Sequence, residues 1–200
     1  KSPNDDRTYE LFQLENGMKV IIMTDKETTK LGATLSVHVG SMDDTVIGIA
    51  HFLEHMLFMG SGKYPNTDYY HKFVEQHGGS SNAYTAPNHT QYYFTINPDK
   101  FIECLDIFSR FFIDPLIGVS NVEKEMNAVD SEHKKNIDSD AHMRYNTMKF
   151  LYNDTIPGKN FSTGNLETLN IPGIDVKVRE FYEKHYSANI MSLVVVRIET

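Results

Sequence analysis

The sequence predicts an α+β sandwich, a largely antiparallel sheet with helices packed against it, on three observations. Two hundred residues, 40% apolar and 23% charged, suffice to bury one sizeable core and are ordinary for a folded domain. β-rich runs come in pairs, with helical stretches inserted between the pairs. Regular strand-helix-strand units, which would signal a parallel sheet, are not the pattern. The chain is therefore expected to form a single domain over residues 1–200, and to be a piece of something longer.

The elements follow in order. Tyr9 to Leu14 and Met18 to Met23 flank Asn16-Gly17, a dipeptide that tolerates the positive φ angles of a tight hairpin. Leu31 to Val39 is a third strand, closed by Gly40. From Thr45 to Met59 the pattern becomes that of a mostly apolar helix, ended by Gly60-Ser61-Gly62 with Pro65 beyond. A second helix spans Thr67 to His77, with Gly78-Gly79 at its end. Strands at Ser81 to Thr85 and Thr90 to Ile96 come next. Pro98, tolerated in a first turn, opens a helix through about Phe112. A long polar helix covers Ser120 to about Asp138 and continues in a further segment to Leu151. A connection over Asn153 to Gly173 leads to a last helix, Val176 to His185, and a last strand, Asn189 to Val196.

Charge narrows the partners. Twenty-seven acidic residues against 19 basic give a formal net charge of −8. That sign disfavours nucleic acid and anionic membrane. No run approaches the roughly 18 apolar residues that cross a bilayer. The single cysteine, Cys104, excludes a disulfide framework and falls in an amphipathic stretch as a small buried hydrophobe. The chain begins at Lys1 rather than Met, so the compartment, cytoplasm or organelle, stays open.

The sharpest chemical feature is His51-Phe52-Leu53-Glu54-His55. At about 100° per residue, His51, Glu54 and His55 share one helix face. Imidazoles at i and i+4 can converge on one metal ion, with Glu54 beside them to activate water. Ala50, Phe52, Leu53, Met56, Leu57 and Phe58 make the helix apolar on most sides, so these polar groups need partners or suffer desolvation. A metal satisfies them together. The order H-x-x-E-H, the reverse of H-E-x-x-H, is that of the inverzincins. A third ligand must come from elsewhere, and the lone thiol excludes a cysteine-rich site. The long polar helix offers Glu123, Glu125, Asp130, Glu132, His133 and Asp138. Glu125 and Glu132, seven apart, share a face, and periodicity does not choose between them.

Longer segments carry a resemblance. Gly48 to Gly60 (GIAHFLEHMLFMG), Gly79 to Thr85 (GSSNAYT), Asn127 to His133 (NAVDSEH) and Phe161 to Asn165 (FSTGN) resemble the pitrilysin/insulysin family of zinc metallopeptidases, and the insulysin branch above all. They run over most of the chain in the family's order. The resemblance implies one zinc ion per chain, held by His51, His55 and Glu132, with Glu54 as general base and Glu125 as a carboxylate orienting a ligating histidine. It implies that Ser81 to Thr85 is an edge strand to which an extended peptide adds by main-chain hydrogen bonds. Asn82 and Ala83 then contact the substrate backbone, and Phe58 and Tyr84 line the pocket beside the scissile bond. His142 departs from the pattern, standing where insulysins tend to carry tryptophan. The function implied is endoproteolysis of extended peptides by the first, zinc-carrying domain of a longer chain. Because family members draw further groups from their other half, the isolated chain has an alternative: a peptide-binding module without activity of its own, whose partner is the missing C-terminal half.

Overall fold

In the computed structural model, which describes residues 1–151 and 161–198, six strands form one sheet in the order β1-β2-β6-β3-β5-β4. The strands are β1 (Thr8–Gln13), β2 (Lys19–Asp25), β3 (Leu31–Val37), β4 (Ser80–Thr85), β5 (Thr90–Ile96) and β6 (Met191–Ile198). All neighbouring pairs are antiparallel except β2 and β6, which run parallel. The sheet is thus largely antiparallel, as the paired strand runs indicate. The last strand enters at its centre, between the first hairpin and β3, which no local pattern announces.

The expected hairpin forms: Gly17 sits at φ 89° and its N–H bonds the Leu14 carbonyl at 2.9 Å. Alternation then sorts the side chains. Leu31, Ala33, Leu35 and Val37 on β3, with Tyr92, Phe94 and Ile96 on β5, are buried in the core. The intervening Gln91, Tyr93 and Thr95 lie on the opposite, more open face.

Seven α-helices complete the fold among the described residues: α1 (Ile49–Leu57), α2 (Tyr69–Gln76), α3 (Phe101–Ser109), α4 (Val119–Asn136), α5 (Asp140–Lys149), α6 (Leu166–Leu169) and α7 (Ile174–His185). α1 is shorter than its apolar run suggests. Gly48 stands at φ 85°, which an α-helix does not accommodate, and the Asp44 carboxylate takes the Gly48 and Ala50 N–H groups at 2.8 and 3.0 Å. The residues before Ile49 are therefore a turn that caps the helix. The expected helix from Pro98 to Phe112 is α3 with a 3-10 turn at each end. The connection from Asn153 to Gly173 lies partly outside the described residues. Its described part holds α6, where Asn165 and Thr168 cap each other reciprocally, in a helix too short to create a hydrophobic period. No helix of the described residues is long and apolar enough to cross a membrane.

α1 is the buried element that places the chemistry. Ile49, Phe52, Leu53, Met56 and Leu57 are each 0% exposed. The helix packs against β4 and β5, with α4 and α7 beside it. Its apolar sides are consumed by the core, and the stripe carrying His51, Glu54 and His55 opens on a cleft.

Candidate metal centre

The two histidines on α1 meet with ring centroids 4.8 Å apart and planes at 82°. α4 crosses them and brings Glu132, whose Oε2 lies 3.6 Å from His51 Nε2 and 3.5 Å from His55 Nε2. The ligand atoms of the three residues all fall within 4.8 Å of one another. A tetrahedral zinc ion with bonds of about 2.0–2.1 Å separates its ligands by about 3.3 Å, close to these spacings. Two imidazoles and one carboxylate, with no thiolate, suit that ion, and the donor set fits it.

The far side of each ring is fixed. His51 Nδ1 lies 2.8 Å from the Thr163 carbonyl, which only accepts, so Nδ1 carries the proton and Nε2 keeps its lone pair for a metal. His55 Nδ1 faces Glu125 Oε2 at 3.3 Å, which selects the same tautomer. Carboxylate and carbonyl partners of this kind orient metal-ligating imidazoles and raise their basicity. Glu125 is 6% exposed, whereas the Glu132 side chain is 44% exposed. Glu132 thus forms the solvent side of the site and Glu125 its inner support.

Three carboxylates around two imidazoles leave an excess of negative charge. Burial opposes protonation of His55, but hydrogen bonds to Glu125 and Glu132 outweigh it and raise its pKa to about 9. The bond from His55 holds Glu132 below the usual carboxylate range. Both shifts describe a pocket that attracts positive charge. Glu54, 6% exposed, is pushed upward by burial against the pull of His51 and of the Thr85 hydroxyl, which donates to its Oε2 at 2.6 Å.

The loop that supplies the Thr163 carbonyl is held closely against α1. A Cβ added to Gly48 would lie 2.3 Å from Gly164 Cα, so two glycines at positive φ allow the approach. Asp130 Oδ1 accepts the Leu166 N–H at 3.1 Å and its Oδ2 accepts the Lys134 ammonium at 2.6 Å. Asp130 therefore fastens the loop rather than facing the metal. Of the other candidate ligands on α4, His133 packs on Phe161 and His142, with centroids at 4.9 and 5.5 Å. Glu123 on α4 and Asp138, in the turn just beyond it, are exposed and outside the cluster.

His51, His55, Glu132, Glu54, Glu125 and Thr163 line a cleft of about 480 Å³, together with Asn82, Ala83, Tyr84, Phe58, Thr85 and His71. β4 is an edge strand, paired only with β5, so one side of its backbone is free for a further strand. Asn82 Oδ1 accepts the Ala83 N–H at 2.9 Å. Ala83 and Thr85 face the helices, while Asn82 and Tyr84 alternate to the other face of the sheet. The Tyr84 phenol, on a side chain 46% exposed as a residue, donates to Gln91 there. Phe58 is both core and wall: its ring stacks on His71 at 5.1 Å and meets Phe111 edge-on at 5.1 Å. Thr163 and Thr85 are the site partners that spacing alone does not single out, since each acts from another element.

The family model of the insulinases (peptidase family M16) matches residues 19–156. The insulin-degrading enzyme of Homo sapiens is 42% identical over 208 residues, covering 100% of this chain and 20% of its own length. Insulin-degrading enzyme-like 2 of Arabidopsis thaliana is 45% identical over 203 residues, covering 98% and 21%. Among solved structures, the crystal structure of pitrilysin superposes with a TM-score of 0.94 at 38% identity, covering 98% of this chain and 21% of that one. The chain spans about a fifth of the length of these relatives.

Proposed function

The chain belongs to the insulinase family of peptidases (peptidase family M16), and from that premise we propose that it is the zinc-carrying domain of an endopeptidase acting on extended peptides. The observation that carries this reading is the convergence of His51, His55 and Glu132 beside a buried Glu54, in one cleft with a free strand edge. Zinc, when bound, would supply the Lewis acidity that polarises a peptide carbonyl and lowers the pKa of water, so that a base can remove its proton. His51, His55 and Glu132 would hold the ion.

The remaining chemistry belongs to this chain's own side chains. A peptide adding to the free edge of β4 uses main-chain bonds, with the Ala83 N–H, now bonded to the Asn82 carboxamide, as a donor. Phe58 borders the cleft where a flanking side chain would rest, whereas the Tyr84 ring lies on the other face of β4. Glu54 takes a proton from water as the water oxygen bonds to the carbonyl carbon. It then passes that proton to the nitrogen as the carbon–nitrogen bond breaks, leaving a carboxylic acid, which keeps the second water proton, and an amine; the two then ionise by exchanging that proton. Burial strengthens Glu54 as a base, and the Thr85 hydrogen bond steadies its carboxylate form.

The alternative is a peptide-binding module that does not hydrolyse alone, its missing groups supplied by the C-terminal half of a longer chain. The 44% exposure of Glu132 favours it, because the ligand side of the cleft stays open to water in this domain. The test of the main reading is Glu54→Gln in the full-length protein. It is expected to keep about one zinc per chain while peptide hydrolysis falls by at least about 10²- to 10⁴-fold, the range for a general base. Hydrolysis at the parent rate, with contaminating protease excluded, would remove Glu54 from the mechanism. A parent protein that binds peptide and cleaves none would favour the binding module.

A further inference from the structure

We infer that Thr85 is a positioning residue for Glu54, so that the edge strand offered to the peptide also aims the hydrolytic base. The inference rests on the hydrolase reading above.

The Thr85 hydroxyl donates to Glu54 Oε2 at 2.6 Å, within the range of a charge-assisted O–H···O⁻ bond. A glutamate head swings on three torsions, and ordering such a side chain costs up to about 2 kcal/mol of rotamer entropy. One strong bond to Oε2 limits that freedom and leaves Oε1 for the reacting proton. Thr85 is itself held. Its backbone pairs with Thr90, which is 1% exposed and donates its own hydroxyl to the Val39 carbonyl at 2.9 Å. Immediately after it, the Ala86 N–H donates to the His89 carbonyl at 2.8 Å, closing the turn, and the Ala86 carbonyl accepts the Ser41 N–H at 3.1 Å. Gly40 lies so close that an added Cβ would sit 2.1 Å from the Ala86 oxygen. A β-branched residue on so restrained a backbone has few rotamers, and its hydroxyl is a fixed donor. On the same face, two residues earlier, Ala83 belongs to the stretch proposed to bind peptide.

A hydroxyl that only satisfies a buried carboxylate would matter to stability and not to turnover. Thr85→Val, nearly isosteric, and Thr85→Ser, which keeps the donor, separate the two roles in the full-length protein. Zinc content, peptide KM and kcat are measured for both. Thr85→Val is expected to keep its zinc and its KM and to lose roughly ten- to hundredfold in kcat, the scale set by a misplaced catalytic group. Thr85→Ser should recover most of that loss. A Thr85→Val protein with the parent kcat overturns the inference, as does a loss that appears in KM or zinc content or that serine does not recover. A parent protein with zinc and no hydrolysis defeats the hydrolase reading itself, and this inference with it.

Discussion

Replacing Gly48 by alanine should loosen metal binding without touching any ligand. The new Cβ would meet Gly164 Cα at 2.3 Å, Gly164 N at 2.6 Å and the Thr163 carbonyl carbon at 3.1 Å. Carbon atoms pack at about 3.5 Å or more, so the loop must retreat by about 1.2 Å. The His51–Thr163 bond, now 2.8 Å, then stretches toward about 4 Å, beyond hydrogen-bonding reach. Losing an outer partner of a ligating histidine typically costs 10- to 100-fold in metal affinity, or about 1.4–2.8 kcal/mol. Alanine at φ 85° adds about 1–2 kcal/mol of backbone strain to the folded state. The assay is competition for zinc against a chromophoric chelator, with circular dichroism and a thermal melt to show that the variant is folded. Gly164→Ala is the internal control. Its Cβ meets its nearest neighbours, Gly48 Cα and Leu169 Cδ1, only at 3.0 Å, so its effect should be the smaller. A folded Gly48→Ala that binds zinc within twofold of the parent, or a Gly164→Ala that binds more weakly than Gly48→Ala, would refute the role given to the loop.

Two further outcomes follow from the same geometry. Glu125→Gln keeps the shape but removes the charge behind His55 Nδ1, and zinc affinity should fall by about 10- to 100-fold in the same competition assay. An unchanged affinity would assign Glu125 to packing alone. Burial pushes the Asp44 carboxyl up to about 7, against the two backbone N–H groups it accepts, while the unfolded chain releases that proton near 3.8. Between those values the folded state binds more protons, so this group's contribution to stability declines as pH rises from about 4 to about 7 and levels off above. Melting curves of Asp44→Asn and parent should therefore shift in favour of asparagine across that window. A difference that is constant from pH 4.5 to 8, or that moves the other way, contradicts the direction given to Asp44.

Much of the site is legible in the chain because its key spacing is local. His51, Glu54 and His55 share a face on any α-helix, and the apolar residues around them require that helix to be buried, which it is. The Asn16-Gly17 hairpin and the strand run from Ser81 to Thr85 are equally local, and it is the resemblance to known metallopeptidases that adds the strand's edge position, Glu132 and Glu125. What periodicity leaves open is settled by packing between elements distant in sequence. Glu125 and Glu132 are equivalent on α4 until that helix crosses α1, when one reaches His55 Nδ1 and the other both Nε2 atoms. The Thr163 carbonyl meets His51 across 112 residues and Thr85 meets Glu54 across 31, through contacts to which side-chain patterning is blind. The glycine pair that permits the first contact, Gly48 and Gly164, belongs to two separate segments of the sequence, and no spacing between them announces that they touch. The parallel pairing of β2 with β6 joins the two ends of the chain, and no turn between them encodes it. Short-range stereochemistry is written in residue spacing, whereas long-range contacts exist only once burial of the common core has brought the elements together.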